Sequence, residues 1–424
     1  MNDGEDDDDG RWDELLADPE RAASLLAGPA AQIDFVRAMA RRCERADQME
    51  REHADLEMLH EATLEHSNEI EEELALKIEE VESLVKDLEV RNGFIRAIFG
   101  RYLSDDVVTT LLESPEALRL GGERRKVTIL LTDLRGFSAI SERLSPEQVV
   151  GLLNIYLGTM ASVIDSYEGS INEFIGDAIL TVFGAPIAHE DAAERAVACA
   201  LSMQLAMADV NAACTAEGLP RIEMGIGVHT GEVIVGNIGS KRRTKYGLVG
   251  RNVNLASRVE TYTVGGQVLI SDATAAEVGE GLTIRDRFHV KPKGFKGEIT
   301  IHDVIGIEGR YSIHLPDQVD TLTTLGAPVP VRLTVVDGKD VGGPEESAWI
   351  EAVGETSALV RVAVNIDPLT NVKLDFADDL FRDDVYAKVI GDDGVTSTLR
   401  VRFTPMPDGL PTALRREGRP ADAG

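Results

Sequence analysis

The chain is short of positive charge. Against 74 Asp and Glu it carries 43 Lys and Arg over 424 residues, a formal net charge of −31. So acidic a surface argues against a general affinity for nucleic acid or an anionic membrane, and any bound polyphosphate must meet local cationic side chains or metal. Cysteine is scarce as well. Cys43, Cys199 and Cys214 stand far apart and form neither a zinc pattern nor a disulfide framework, as expected in a reducing compartment. No apolar run approaches the length of a membrane span, and the acidic opening residues 1–10 are the reverse of a signal peptide. A soluble cytoplasmic protein is expected.

What is present suits two or three domains, with 43% hydrophobic residues to build their cores. An acidic tail over 1–32 leads into a helix over 33–98. There Leu74, Val81, Leu88 and Ile95 repeat at seven-residue spacing, as do Ile70, Leu84 and Ile98, with Lys77 and Arg91 interrupting the second set. A seam that narrow seeks a partner helix, so a parallel coiled-coil dimer is expected over a single solvated helix. A connecting helix over 99–125 follows, then an α+β domain over 126–307. Within it Ser145-Pro146-Glu147-Gln148 is a capping box with proline at the first helical position. Residues 171–175 and 178–183 form a hairpin turning at Gly176-Asp177. Residues 222–228 and 232–236 read as a further strand pair. Gly326-Ala327-Pro328-Val329-Pro330 marks the end of a linker over 308–328. Six short alternating strands over 329–416 then predict a small all-β barrel with a short terminal helix.

Asp133 and Asp177 both end strands beside glycine-containing turns. If those strands are neighbours, the carboxylates converge as hard oxygen ligands for Mg²⁺, leaving room for substrate phosphates. The turn Leu134-Arg135-Gly136-Phe137-Ser138 offers backbone N–H groups to phosphate. Asn254 and Arg258 stand at i and i+4 on one helical face, where an amide and a guanidinium can grip a ribose oxygen and a phosphoryl oxygen. Lys293 and Lys296 add loop-borne cations.

In order along the chain, Thr132-Asp133-Leu134-Arg135-Gly136-Phe137-Ser138, Phe174-Ile175-Gly176-Asp177-Ala178, His229-Thr230-Gly231-Glu232, Gly250-Arg251-Asn252-Val253-Asn254-Leu255-Ala256-Ser257-Arg258 and Lys293-Gly294 resemble the motifs of class III nucleotidyl cyclases. The resemblance implies a ferredoxin-like-related α+β domain working as a homodimer with shared sites. It implies that Asp133 and Asp177, with Leu134, hold two Mg²⁺ or Mn²⁺ ions per active site. Asn254 orients the ribose, Arg258 stabilises the pentavalent phosphorus, and Lys293 contacts the terminal phosphates. The metal carboxylates of one chain face the asparagine, arginine, lysine and base-reading residues of the other. The reaction is attack of the ribose 3′-oxygen on the α-phosphorus, with release of pyrophosphate.

Base choice rests on two positions. The family's adenine pattern has lysine at the place of Glu173 and aspartate or threonine at that of Gly247; this chain departs at both. Guanine presents donors at N1 and N2, which suit a carboxylate, whereas the adenine N1 lone pair repels one. Glu173 therefore points to GTP, and Gly247 removes an acceptor without supplying a donor. An adenylyl cyclase and a catalytically silent nucleotide-binding dimer stay open as alternatives. Arg251 also departs from the short polar residue usual there. The barrel resembles a PilZ domain in its strand order and its ending Val401-Arg402-Phe403-Thr404-Pro405. It lacks the arginine pair and the Asp/Asn-x-Ser-x-x-Gly turn that bind cyclic di-GMP: only Arg332 lies nearby, and the turn reads Gly354-Glu355-Thr356-Ser357-Ala358. No cyclic di-GMP binding is expected, and a protein partner suits the barrel better.

Overall fold

A computed structural model describes residues 17–99, 120–240, 242–316, 320–336, 345–376, 385–392, 398–404 and 409–418. Most of the expected connecting helix over 99–125 lies outside them. The chain forms two compact units, Met1–Ile95 and Arg96–Gly424.

In the first unit, α1 (Pro19–Leu25) starts on an Asp18 cap and precedes α2 (Pro29–Phe99), a continuous helix of 71 residues. Ile70, Leu74, Val81, Leu84 and Leu88 are all exposed along it. A helix this long buries little by itself, so its apolar repeat stays in water unless another helix covers it.

The second unit opens with β1 (Gly121–Leu134). Helices α3 (Phe137–Arg143) and α4 (Pro146–Ser166) follow, then β2 (Ser170–Ile175), β3 (Ala178–Phe183) and α5 (Ala192–Ala216). The Ser145 capping box is formed as expected, with Ser145 and Gln148 satisfying each other's backbone N–H groups. Next come β4 (Met224–Ser240), β5 (Arg243–Val249), α6 (Arg251–Thr261), β6 (Val268–Ser271), α7 (Asp272–Val278), β7 (Leu282–Val290), β8 (Ile299–Ile307) and β9 (Ile313–His314). They make a sheet in the order β2-β3-β1-β4-β6-β8-β7, with β5 on β4 and β9 on β8. All described pairs are antiparallel except β4 with β6.

Alternation along β1 serves both faces of the sheet. Leu130 and Leu134 join the core under α4 and α5, whereas Val127, Ile129 and Leu131 pack with Val233, Val235 and Ala256 on the α6 side. Helices α4 and α5 are long and apolar enough to cross a membrane by length and composition, contrary to the sequence-based expectation. Both lie on the sheet, with Leu152, Tyr156, Met160 and Ile164 of α4 and a dozen residues of α5 buried.

One expected feature is corrected. The strand pair over 222–236 is a single strand, β4, running straight through Thr230-Gly231. The glycines there serve close approach rather than a turn. A Cβ at Gly227 would collide with the backbone of Glu260, one at Gly225 with Thr263, and one at Gly231 with Asn252. They clear a lane on the sheet in which α6 lies.

Beyond the sheet, β10 (Thr323–Val336), β11 (Glu345–Val353), β12 (Ser357–Val362), β13 (Asn371–Phe376), β14 (Val385–Asp392) and β15 (Thr398–Phe403) close into a barrel in the order β10-β11-β12-β15-β14-β13. Helix α8 (Leu410–Glu417) seals it with Leu410 and Leu414. Strand β10 starts within the segment read as linker. Its pairing with β11 shifts register between Thr324 and Val329, and that irregularity accommodates Pro328 inside a strand.

Candidate active site

Strands β1 and β3 are neighbours, with Thr132 opposite Ile179. Asp133, near the end of β1, therefore meets Asp177, in the turn before β3. The Asp177 carboxylate accepts the backbone N–H of Leu134 at 3.1 Å, which fixes the turn against the strand end. Thr132 Oγ1 braces the same corner, bonding the phenol of Tyr156 at 2.8 Å and accepting the N–H of Ile179 at 3.2 Å.

Arg135 behaves differently from its expected place in a phosphate-contacting turn. Its side chain is 11% exposed and turns inward. It donates to Asp133 Oδ2 at 2.8 Å, to the Glu260 carboxylate, and to the carbonyl of Thr263. One guanidinium thus sits between two carboxylates, and the backbone N–H of Arg135 is itself given to the Glu223 carbonyl at 2.8 Å. Burial pushes the Asp133 carboxyl above its ordinary range; the Arg135 charge opposes this, while Glu260 and Asp177 add to it. Glu260 is likewise raised by burial against the pull of Arg135. Asp133, Asp177 and Glu260 together outnumber the cations beside them, Arg135 and the buried Lys388, and leave an excess of negative charge. A set of hard oxygens with such an excess fits a divalent cation, for which Asp133, Asp177 and the Leu134 carbonyl are the candidate ligands. Gly136 takes a left-handed conformation (φ 68°), and α3 starts directly after it, with Phe137 half-buried against the core and Ser138 exposed.

Helix α6 carries chemistry on two faces. Asn254 and Arg258 are exposed on one, while Ala256, Val259 and Glu260 are buried on the other. Its start is tied down by Asn252, whose amide oxygen accepts from His229 Nε2 at 3.2 Å and whose amide nitrogen donates to the Glu232 carbonyl at 2.8 Å. His229 Nδ1 bonds Ser271 at 2.7 Å, and burial holds the imidazole below its usual range, favouring the neutral ring. The unusual Arg251 lies over the Phe295 ring, 4.9 Å from its centroid. It thereby packs the start of α6 on the loop that holds Lys293, which is exposed between β7 and β8.

The two base-choice positions lie side by side. The pairing of β2 with β3 shifts register between Ile171 and Glu173, an irregularity of the kind that re-aims a side chain. Glu173 is exposed, and its carboxylate lies 2.5 Å from Lys245 Nζ. Gly247 is two residues along β5 from Lys245 and so shares its face. A Cβ at Gly247 would have only Asn172 Oδ1, at 4.0 Å, as its neighbour, so there is room for a side chain. Sequence reading missed Glu260 and Lys245 because their partners lie 125 and 72 positions away; the closest local signal for Glu260 is its place two residues after Arg258.

Residues 122–306 match the family description "Adenylate and Guanylate cyclase catalytic domain". Among curated proteins, the chain is 33% identical over 236 residues to adenylate cyclase 1 of Rhizobium meliloti (strain 1021), covering 54% of this chain and 36% of that one. It is 32% identical over 218 residues to an adenylate cyclase of Anabaena cylindrica, covering 49% and 42%. The chain thus spans well under half the length of these relatives. Among solved structures, the guanylyl cyclase Cya2 is 52% identical over 46% of this chain and 100% of its own, with a TM-score of 0.46. The adenylyl cyclase CyaB from P. aeruginosa is 34% identical with the same coverage and a TM-score of 0.43. Carrying the family's signature from β1 to β8, residues 122–306 are a class III adenylate/guanylate cyclase catalytic domain.

Proposed function

We propose that the protein is a homodimeric guanylyl cyclase, converting GTP to 3′,5′-cyclic GMP and pyrophosphate. The observation that carries the base choice is the Glu173–Lys245 pair beside the side-chain-free Gly247. In the family arrangement, the position of Glu173 faces N1 of the purine and that of Gly247 faces the 6-substituent. A carboxylate at the first accepts from guanine N1–H and N2–H. Gly247 offers nothing to O6, but Lys245, on the same strand face, brings an ammonium that donates to it. For adenine both groups stand at the wrong ends, an acceptor against the N1 lone pair and a donor against the 6-amino group.

The two faces of α6 support a shared site. Its inner face holds Glu260 against the Arg135–Asp133 pair of the same chain. Its outer face presents Asn254 and Arg258 away from those carboxylates, where a second protomer can use them. There Asn254 orients the ribose, and Arg258 places a fixed positive charge where the transferring phosphorus gains negative charge. Lys293 meets the terminal phosphates from its exposed loop. Two Mg²⁺ or Mn²⁺ ions, when held by Asp133, Asp177 and the Leu134 carbonyl, supply the charge that acidifies the 3′-hydroxyl and balances the triphosphate. The exposed apolar repeat of α2 supplies the dimer contact as a coiled coil.

The test is turnover of GTP and of ATP, offered separately to the purified chain with Mg²⁺ or Mn²⁺, with each cyclic product quantified. GTP is expected to be the better substrate by kcat/KM. Lys245→Ala is expected to lower GTP turnover about tenfold, the worth of one charge-assisted hydrogen bond, without lowering ATP turnover. Equal or better use of ATP by the unaltered chain would replace this reading with an adenylyl cyclase, the activity in the names of the two bacterial relatives. No product from either nucleotide would leave a silent nucleotide-binding dimer.

A further inference from the structure

The barrel touches the catalytic domain at the helix that carries Asn254 and Arg258. Lys388 of β14 is 2% exposed. Its ammonium leaves the barrel and donates to the carbonyl oxygens of Thr261, at 2.7 Å, and Thr263, at 2.9 Å. These are the last residue of α6 and a residue of the turn after it, where backbone carbonyls lack helical partners and the helix dipole is negative. A lysine there caps the helix from another domain.

Two more contacts surround this one. Leu369 of the barrel enters a cluster with Val259 of α6 and with Leu269, Val290 and Ile301 of the sheet. Arg402 of β15 lies 3.9 Å from the Glu223 carboxylate, and the Glu223 carbonyl receives the N–H of Arg135. Thr263 is itself shared, since its carbonyl also accepts from Arg135. The barrel therefore grips the end of α6 and the segment that leads to Asp133 together.

Burying an ammonium is costly. Burial pushes the Lys388 pKa down to about 7, with Arg135 lowering it further and the Glu260 and Asp133 charges raising it. A buried lysine held by main-chain carbonyls is a poor way to stabilise a fold and a good way to fix one registration between two surfaces. Val259 and the carbonyl of Thr261 sit within the last turn of the helix, so the grip sets its axial position and its rotation.

We propose that the C-terminal barrel is a positioning domain for the cyclase, and that Lys388 is the positioning residue through which it holds α6 and so aims Asn254 and Arg258. The inference rests on the roles given above to Asn254 and Arg258. It assigns the barrel an internal partner, and a signal that moves the barrel would act on turnover through this contact.

The experiment uses the full chain with Lys388→Met, Lys388→Arg, Leu369→Ala and, as reference, Arg258→Ala. Cyclase kcat and KM are measured, with hydrogen–deuterium exchange over residues 251–263 and, in a Trp12→Phe background that removes the chain's other tryptophan, the emission of Trp349, which lies in β11 against Arg361 and reports the barrel. Lys388→Met is expected to lower kcat about ten- to a hundredfold, the scale of a 1 Å misplacement of reacting groups, and to leave KM within about threefold. Exchange should rise over 251–263 while the Trp349 emission is kept. Lys388→Arg should recover part of the loss, and Leu369→Ala should act in the same direction more weakly. A folded Lys388→Met protein with kcat within about twofold of the unaltered chain and unchanged exchange over 251–263 would overturn the proposal. So would a loss spread over the whole chain's exchange, which marks a merely structural role. Should Lys388→Met fail to fold, Leu369→Ala decides alone: unaltered kcat and exchange in it refute the coupling. Full activity of Arg258→Ala would instead overturn the assignment of the catalytic face.

Discussion

Glu260→Gln tests whether the Arg135 guanidinium is divided between two carboxylates for the sake of the metal site. Gln keeps the size and a hydrogen-bonding oxygen but removes one negative charge. Arg135, 11% exposed, would then have Asp133 as its remaining carboxylate partner in this cluster. Asp133 is also a proposed metal ligand, so a cation would have to displace a guanidinium no longer drawn the other way. The lost charge and the tighter Arg135–Asp133 pair both weaken metal binding. Glu260 also helps to hold the Asp133 pKa up, to about 7, and assaying in alkaline buffer, where Asp133 is ionised in both proteins, removes that opposing contribution and leaves the sign of the other two. A hydrogen bond to a charged group contributes about 1.5–3 kcal/mol, and 1.36 kcal/mol is a factor of ten. The Asp133 side chain is 38% exposed, and water screens part of the gain, which places the expected shift near the low end, about tenfold. The assay is initial rate against Mg²⁺ concentration at saturating GTP. The half-saturating Mg²⁺ should rise about tenfold, with kcat recovered at high metal. A folded variant whose half-saturation is unchanged would refute the competition. A kcat loss that no metal concentration restores would show that Glu260 acts on α6 rather than on the metal site. Thermal melting separates both from misfolding, since breaking a buried ion pair costs about 3–5 kcal/mol.

Three further outcomes are expected. Glu173→Lys with Gly247→Asp, the latter with space for its side chain, should raise ATP use relative to GTP, and an active double variant with unchanged preference would refute the base-reading assignment. Asp133→Ala and Arg258→Ala should each be inactive as homodimers, the second through loss of about 3 kcal/mol of transition-state stabilisation. Co-expressed, they should regain up to roughly a quarter of wild-type activity, because half the dimers are mixed and each of those has one intact site; a doubly tagged heterodimer as inactive as its parents would refute sharing. Calorimetry of cyclic di-GMP against the full chain should give no heat above dilution, because the Asp320 carboxylate already accepts from Glu355 N, Thr356 N and Ser357 Oγ in the turn that would bind it, and micromolar binding would refute this.

The same turn makes the barrel's behaviour in acid a matter of sign. Burial raises the Asp320 pKa, but hydrogen bonds from Ser357, Glu355 and Thr356 outweigh it and hold the carboxyl below its usual range. A group depressed in the folded state contributes stability above its unfolded pKa and loses it as pH falls through the folded one. The turn should thus hold at neutral pH and loosen only in acid below the ordinary aspartate range.

What could be read in the sequence was local. Asp133 and Asp177 announce themselves as acids at strand ends, and Asn254 and Arg258 by helical spacing, because strand ends and helix faces follow from neighbours in the chain. The strand pair over 222–236 failed for the opposite reason. Glycine is locally a turn signal, yet Gly225, Gly227 and Gly231 are needed because a helix from some thirty residues later lies against them. Glu260, Lys245 and Lys388 follow the same logic. As types they are ordinary acidic and basic residues on regular elements. Their meaning comes from partners 72 to 127 positions away, which no periodicity encodes.

These long-range contacts converge on one element. Helix α6 is anchored at its start by His229 through Asn252, along its inner face by Arg135 through Glu260, and at its end by Lys388. One of those anchors comes from strand β4, one from the turn directly after β1, and the third comes from the barrel. A helix held only by the sheet would move with it as one body. With one anchor on a separate domain, its position depends on whether that domain is seated. In the proposed dimer the inner face of α6 supports the metal carboxylates of its own chain and the outer face serves the partner's site. A shift at Thr261 and Thr263 would then reach both active sites at once, one through Glu260 and Arg135, the other through Asn254 and Arg258.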